Sequence, residues 1–70
     1  MQNQELRIEI LLEEVVKKRA SDLHLQVGLP PMLRVDGALV PIAGFNPMDE
    51  QQVESLIFAV PDEEQQQVLM

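Results

Sequence analysis

The sequence predicts an α+β fold, α/β by content: an N-terminal helix, three strands that include an antiparallel hairpin, and then two helices. Three observations lead there. Apolar residues recur at helical spacing before residue 20 and again after residue 50. Between these segments apolar and polar residues alternate, the period of a half-buried strand. An Asp-Gly pair, Asp36-Gly37, interrupts the alternation where a tight two-residue turn needs positive φ at both positions.

The first helix is expected from about Gln4 to Arg19, with Asn3 as its N-cap. Ile8, Leu11, Leu12 and Val15 follow the i, i+3, i+4, i+7 pattern and make one apolar stripe. Glu13 with Lys17 and Glu14 with Lys18 are favourable i, i+4 pairs, each contributing ~0.2–0.5 kcal/mol. Acid early and base late also complement the helix dipole. The first strand follows, with Leu23, Leu25 and Val27 alternating with Asp22, His24 and Gln26. Gly28-Leu29-Pro30-Pro31 breaks it, because each proline fixes its own φ and restricts the residue before it. Met32 to Val35 resumes the strand. Pairing across Asp36-Gly37 then sets Val35 opposite Ala38, Arg34 opposite Leu39 and Leu33 opposite Val40. One face carries Leu33, Val35, Ala38, Val40 and Ile42, and Arg34 falls on the other with Asp36 nearby.

The second helix has Asn46 as its expected N-cap, Pro47 at the first helical position, and Asp49 and Glu50 in the first turn. Val53, Leu56, Ile57 and Val60 repeat the helical stripe, and Pro61 ends it. A third helix is expected to start at Asp62 to Glu64 and to carry Val68, Leu69 and Met70, apolar residues that call for packing on something downstream.

Composition sets the limits of function. Seventy residues allow one domain with a thin core. The 46% hydrophobic content excludes a disordered chain, and Phe45 and Phe58 as the only aromatics make the core aliphatic. The net charge of −7 argues against nucleic acid as a partner, since the one basic cluster, Lys17-Lys18-Arg19, ends an acidic helix. No cysteine is present, so disulfides and thiol chemistry are excluded. The first residues lack the basic and apolar regions of a signal peptide. The longest apolar run, Leu56 to Val60, falls far short of the ~20 residues that span a bilayer, so no transmembrane segment is expected.

Few residues could carry chemistry. His24 is the only histidine, and a metal site needs three or four ligands, so no metal is expected. No nucleophile is placed beside it. Its plain reading is structural, with Asp22 capping backbone and His24 packing next to it. Arg34 reads as an ion pair with Asp36 or as a solvated strand residue. Asp36 and Gly37 form the turn. The glycines, Gly28, Gly37 and Gly44, do not make a G-x-x-x-x-G-K-[ST] phosphate cradle, so no ATP hydrolysis and no catalytic residue are expected of this chain itself.

Two segments, Ala20-Ser21-Asp22-Leu23-His24-Leu25 and Gly28-Leu29-Pro30-Pro31-Met32-Leu33-Arg34-Val35-Asp36-Gly37, resemble the N-terminal domain of the PilT-like type IV pilus retraction ATPases, the twitching-motility branch of the secretion ATPase superfamily. The resemblance implies that residues 1–70 are the first part of a PAS-like N-terminal domain, cut before the ATPase motor domain. It implies a parent that binds ATP and Mg, forms a homo-hexamer and drives pilus retraction. In that parent this piece would be non-catalytic, would pack on its own motor domain and on neighbouring subunits, and would transmit ATP-driven motion. The implied location is cytoplasmic, peripheral to the inner membrane, against a pilus-base membrane protein. Arginines of such domains reach nucleotide phosphates, which makes Arg34 the candidate phosphate contact. The alternative is a stand-alone PAS-like interaction or sensory module without ATPase activity. A sheet with unpaired edges also invites a strand-exchanged or swapped dimer.

Overall fold

The computed structural model describes residues 6–63 and 68–69. Helix α1 (Ile8–Lys18) leads into strand β1 (Asp22–His24), the hairpin β2 (Met32–Val35) and β3 (Ala38–Pro41), helix α2 (Glu50–Phe58) and a short strand β4 (Val68–Leu69). The sheet order is β3-β2-β1-β4, with β4 parallel to β1 and the other pairs antiparallel. One face of this sheet meets the helices, as expected of an α+β fold.

Helix α1 buries Ile8, Leu11 and Val15, with Leu12 partly buried beside them, as the stripe requires. It begins later than expected. Arg7 is extended (φ −134°, ψ 143°) and precedes the first helical residue without a side-chain cap. Leu6 packs against the core instead of continuing the helix. The expected cap, Asn3, lies outside the described residues. Neither expected i, i+4 ion pair forms among the described residues; Lys17 reaches Glu14 at 3.5 Å, one turn back at i, i+3, which is equally close on a helix surface. The helix ends in a Schellman motif. Ala20 N–H donates to the Val15 carbonyl (2.9 Å), Arg19 N–H donates to the Val16 carbonyl (3.2 Å), and Arg19 takes the left-handed conformation.

The hairpin has the expected register, Val35 opposite Ala38, Arg34 opposite Leu39 and Leu33 opposite Val40. Asp36 (φ 52°) and Gly37 (φ 84°) supply the two positive φ angles of the turn. Of the apolar face that it carries, Leu33 and Ile42 are buried and Val35 partly so, whereas Ala38 and Val40 on the edge strand stay exposed. Backbone alternation also explains Pro41. Ile42 N–H donates to the Pro31 carbonyl (2.9 Å), continuing the bonded parity of the Val35–Ala38 and Leu33–Val40 pairs. Leu39 and Pro41 therefore turn their backbone groups outward, and Pro41 has no N–H to offer to another strand.

Strand β1 is shorter than the alternation suggests. Leu25 is fully buried but lies past the strand, and Val27 is 52% exposed rather than in the core. The chain turns at Gln26, where Leu29 N–H returns to the Gln26 carbonyl (3.2 Å). The turned loop bonds to Met48 in both directions: Gly28 N–H to the Met48 carbonyl (2.8 Å), and Met48 N–H to the Leu29 carbonyl (3.0 Å). This accounts for a second departure. With both backbone groups of Met48 bonded to that loop, α2 starts after Asp49, not after Asn46. Asp49 caps it in a reciprocal box: its Oδ1 accepts from Gln52 N–H (2.8 Å), and the Gln52 side chain accepts from Asp49 N–H (2.9 Å).

Val53, Leu56 and Val60 join Met48 in the core, and Ile57 packs at its margin. The core is aliphatic, as expected, apart from Met48: Phe45 is only partly buried against it and Phe58 is 90% exposed. The third helix is corrected. Asp62 and Glu63 form a short 3₁₀ turn, and Val68 and Leu69 are a strand paired with Leu23 and His24. Val68 shares Leu23's inward face and packs on the core, burial that β1's open edge offers and a detached helix would not. Residues 64–67 and 70, the rest of that expected helix, lie outside the described residues.

Candidate functional site

The strands position the candidate residues through their period of two. Leu23 and Leu33 pair across β1 and β2 and point into the core. Their neighbours must then point the opposite way. Asp22 pairs with Arg34, and His24 with Met32, on the sheet face turned away from the helices. Three of the five candidate residues, Asp22, His24 and Arg34, thus share one face although 10 to 12 positions separate the arginine from the other two. Asp36 and Gly37 sit apart at the hairpin tip and act as turn residues.

Arg34 stays partly accessible to solvent and pairs not with Asp36 but with Asp22. Its Nε donates to Asp22 Oδ2 at 3.2 Å, with side-chain exposures of 37% and 23%. Asp22 is directly opposite in the ladder, while Asp36 is in the turn, so cross-strand geometry decides the partner. The hydrogen bonds of the Asp22 carboxylate are to the side chains of Arg34 and Ser21, not to backbone. Ser21 N–H donates to the Arg34 carbonyl at 2.9 Å, and the single hydroxyl hydrogen of Ser21 lies in reach of two alternative acceptors, Asp22 Oδ2 at 3.4 Å and the Arg34 carbonyl at 3.3 Å. The Ser21 contacts lock the start of β1 to β2 and fix the backbone of Arg34 while Asp22 fixes its head group. The two Nη groups make no hydrogen bond among the described residues, so the bidentate edge of the guanidinium remains available to an anion.

His24 is held by Gln26, two residues on and therefore on the same face. Its Nε2 lies 2.9 Å from Gln26 Oε1. An amide oxygen only accepts, so Nε2 is the donor in this contact and Nδ1 takes no part in it. That Nδ1 is buried and has no partner among the described residues. No group of three or more His, Asp or Glu residues capable of holding a metal ion occurs among the described residues. Nor is any helix among them long and apolar enough to cross a membrane. Sequence reasoning gave no role to Ser21 or Gln26. Gln26 was findable as the i+2 neighbour of His24 on a strand, whereas Ser21's bonds to Arg34 depend on the β1–β2 register and have no local signal.

A second feature is an open groove between the start of α1 and the length of α2, lined by Leu6, Ile8, Leu56 and Ala59 together with Arg7 and Gln52. It contains none of the candidate residues.

No family-level sequence profile matches the chain. Two curated proteins of Pseudomonas aeruginosa do. The type IV pilus retraction ATPase PilT is 46% identical over 55 residues, covering 79% of this chain and 16% of that protein. The type IV pilus ATPase PilU is 32% identical over 60 residues, covering 86% of this chain and 15% of that protein. The chain spans about a sixth of the length of these curated relatives.

Proposed function

From a chain that is a relative of the type IV pilus ATPases over most of its own length, we propose an N-terminal, non-catalytic part of a hexameric ATPase motor that powers type IV pilus retraction and twitching motility. The reading is carried by the 46% identity to a pilus retraction ATPase across most of the chain. In it, residues 1–70 begin a PAS-like domain, and the motor domain with its ATP and Mg lies elsewhere in the parent. The polar face bearing Asp22, His24 and Arg34 is the side left uncovered by the helices, and it is the surface assigned to the neighbouring motor domain. Rotation of that motor domain on ATP binding would be passed through this rigid sheet. The assembly is cytoplasmic and works at the inner membrane on a pilus-base protein.

Arg34 is assigned to the nucleotide phosphates. The support is geometric: Asp22 binds Nε on a partly exposed side chain, and the two Nη groups have no hydrogen-bond partner among the described residues, the arrangement by which a guanidinium can take a phosphate bidentately. Arg34→Ala in the full-length parent is expected to lower ATP turnover or nucleotide affinity at least tenfold. Unchanged turnover and affinity would remove Arg34 from the site. The coding sequence after Met70 tests the wider reading. A G-x-x-x-x-G-K-[ST] motif downstream supports a motor, and a stop codon at that point favours a stand-alone PAS-like interaction or sensory module instead.

A further inference from the structure

We propose that the outward side of α2, with Phe58 as its anchor, docks a basic amphipathic helix of a partner protein. Three observations carry this. The first is exposure. Phe58 is one of only 2 aromatic residues in the chain, yet it stands 90% exposed on the last turn of α2. Val53 and Leu56 turn the opposite side of the same helix into the core, so Phe58 adds nothing to that core. Gln51, Glu54 and Ser55 precede Phe58 at i−7, i−4 and i−3, share its side of the helix and are exposed with it.

The second is continuity with the groove between α1 and α2. That groove encloses about 480 Å³, and Ser55 lines it together with the apolar Ile8, Leu56 and Ala59. Residues three apart on a helix have Cβ atoms about 5–6 Å apart, so the groove and Phe58 meet at Ser55. An amphipathic helix lays its apolar stripe into a groove of this kind. The third is charge, which selects the partner. The 5 Lys and Arg residues all precede residue 35, where 5 acidic residues balance them, so the whole net charge of −7 falls on residues 35–70. Helix α2 carries no basic residue, and its Glu50 and Glu54 form no ion pair among the described residues. Arg7, the one cation lining the groove, lies 4.0 Å from Glu9. Such a surface repels a second copy of itself and attracts a lysine- or arginine-rich partner. Asp22, His24 and Arg34 take no part, because they lie on the sheet face turned away from the helices.

The test titrates the ¹⁵N-labelled chain with a synthetic peptide of about 14 residues, leucine and lysine at amphipathic helical spacing, and separately with its leucine–glutamate counterpart. Saturable amide shifts confined to residues 6–9 and 49–59 are expected with the lysine peptide, weakened by added salt, and none with the glutamate peptide. Phe58→Ser is expected to weaken binding about tenfold or more at an unchanged melting temperature. Glu50→Gln combined with Glu54→Gln should weaken it about threefold. Leu39→Ser, which removes an exposed apolar side chain from the opposite face of the sheet, should leave it unchanged. Absence of saturable shifts, equal binding of the glutamate peptide, or binding that survives Phe58→Ser overturns the inference. So does a light-scattering mass above the monomer that falls on Phe58→Ser, because a second copy then covers the face. The lysine peptide should also bind the full-length parent. Failure to bind there means that the parent's own chain covers α2, which overturns the inference as well.

Discussion

The two faces of one small sheet are built from the same residues' neighbours and follow opposite rules. On the inner face Leu23, Leu33 and Val68 meet α1 and α2 through apolar contact that is non-directional and set by area removed from water. On the outer face Asp22, His24 and Arg34 are held by named hydrogen bonds of 2.9–3.2 Å while part of each side chain stays accessible. The inner face therefore supplies stability and tolerates little change of volume. The outer face adds little stability, and its value lies in where it aims polar groups.

Leu23→Ala is the sharpest way to break the contrast. Leu23 is fully buried at the centre of the sheet, and truncation should cost about 2–5 kcal/mol. A domain of this size has only a few kcal/mol in total, so circular dichroism should find the variant largely unfolded at 25 °C. A cooperative melt close to that of the parent chain would show that the inner face is not the stabilising one. Gly37→Ala comes next. Its φ of 84° puts a side chain in the left-handed region, which should cost about 1–2 kcal/mol. Nothing lies within 4 Å of the added Cβ, so that cost would come from backbone conformation and not from a clash. Asp49→Ala, which removes the α2 cap, should cost about 1 kcal/mol in urea unfolding.

The outer face should respond far less. A double-mutant cycle with Asp22→Asn and Arg34→Gln is expected to give a coupling of about 0.2–1 kcal/mol, the range of partly exposed ion pairs. A coupling above about 3 kcal/mol would place the pair among the structural contacts and erase the distinction between the faces. The smallest stability effect should come from Pro41→Val, within about 0.5 kcal/mol. That substitution restores an outward N–H on the β3 edge, so light scattering should detect more self-association than in the parent chain. An unchanged mass would mean that the edge is protected by something other than proline.

These contrasts also mark what was legible in the residues. The hairpin was readable to the pairing partner, because Asp36-Gly37 dictates its own turn and a two-residue turn leaves one register open. The stripes of α1 and α2 were readable because their period is local. The cap of α2 was misplaced by three residues because Met48 spends its backbone groups on Gly28 and Leu29, about 20 positions earlier. Val27 was misread for a related reason: the alternation continues past the point where the chain turns away from the sheet.

Local chemistry, then, determined the order of helices and strands as far as α2, the hairpin register, and the face on which each hairpin residue lies, since turn geometry and side-chain period need only near neighbours. Tertiary structure decided the rest. It joined Asp22 to Arg34 across the ladder, set Ser21 against the arginine's backbone, and turned Val68 and Leu69 into a strand beside β1. Such contacts depend on segments far apart in the chain meeting at a fixed register, and a partner's distance in sequence carries no record of its distance in space.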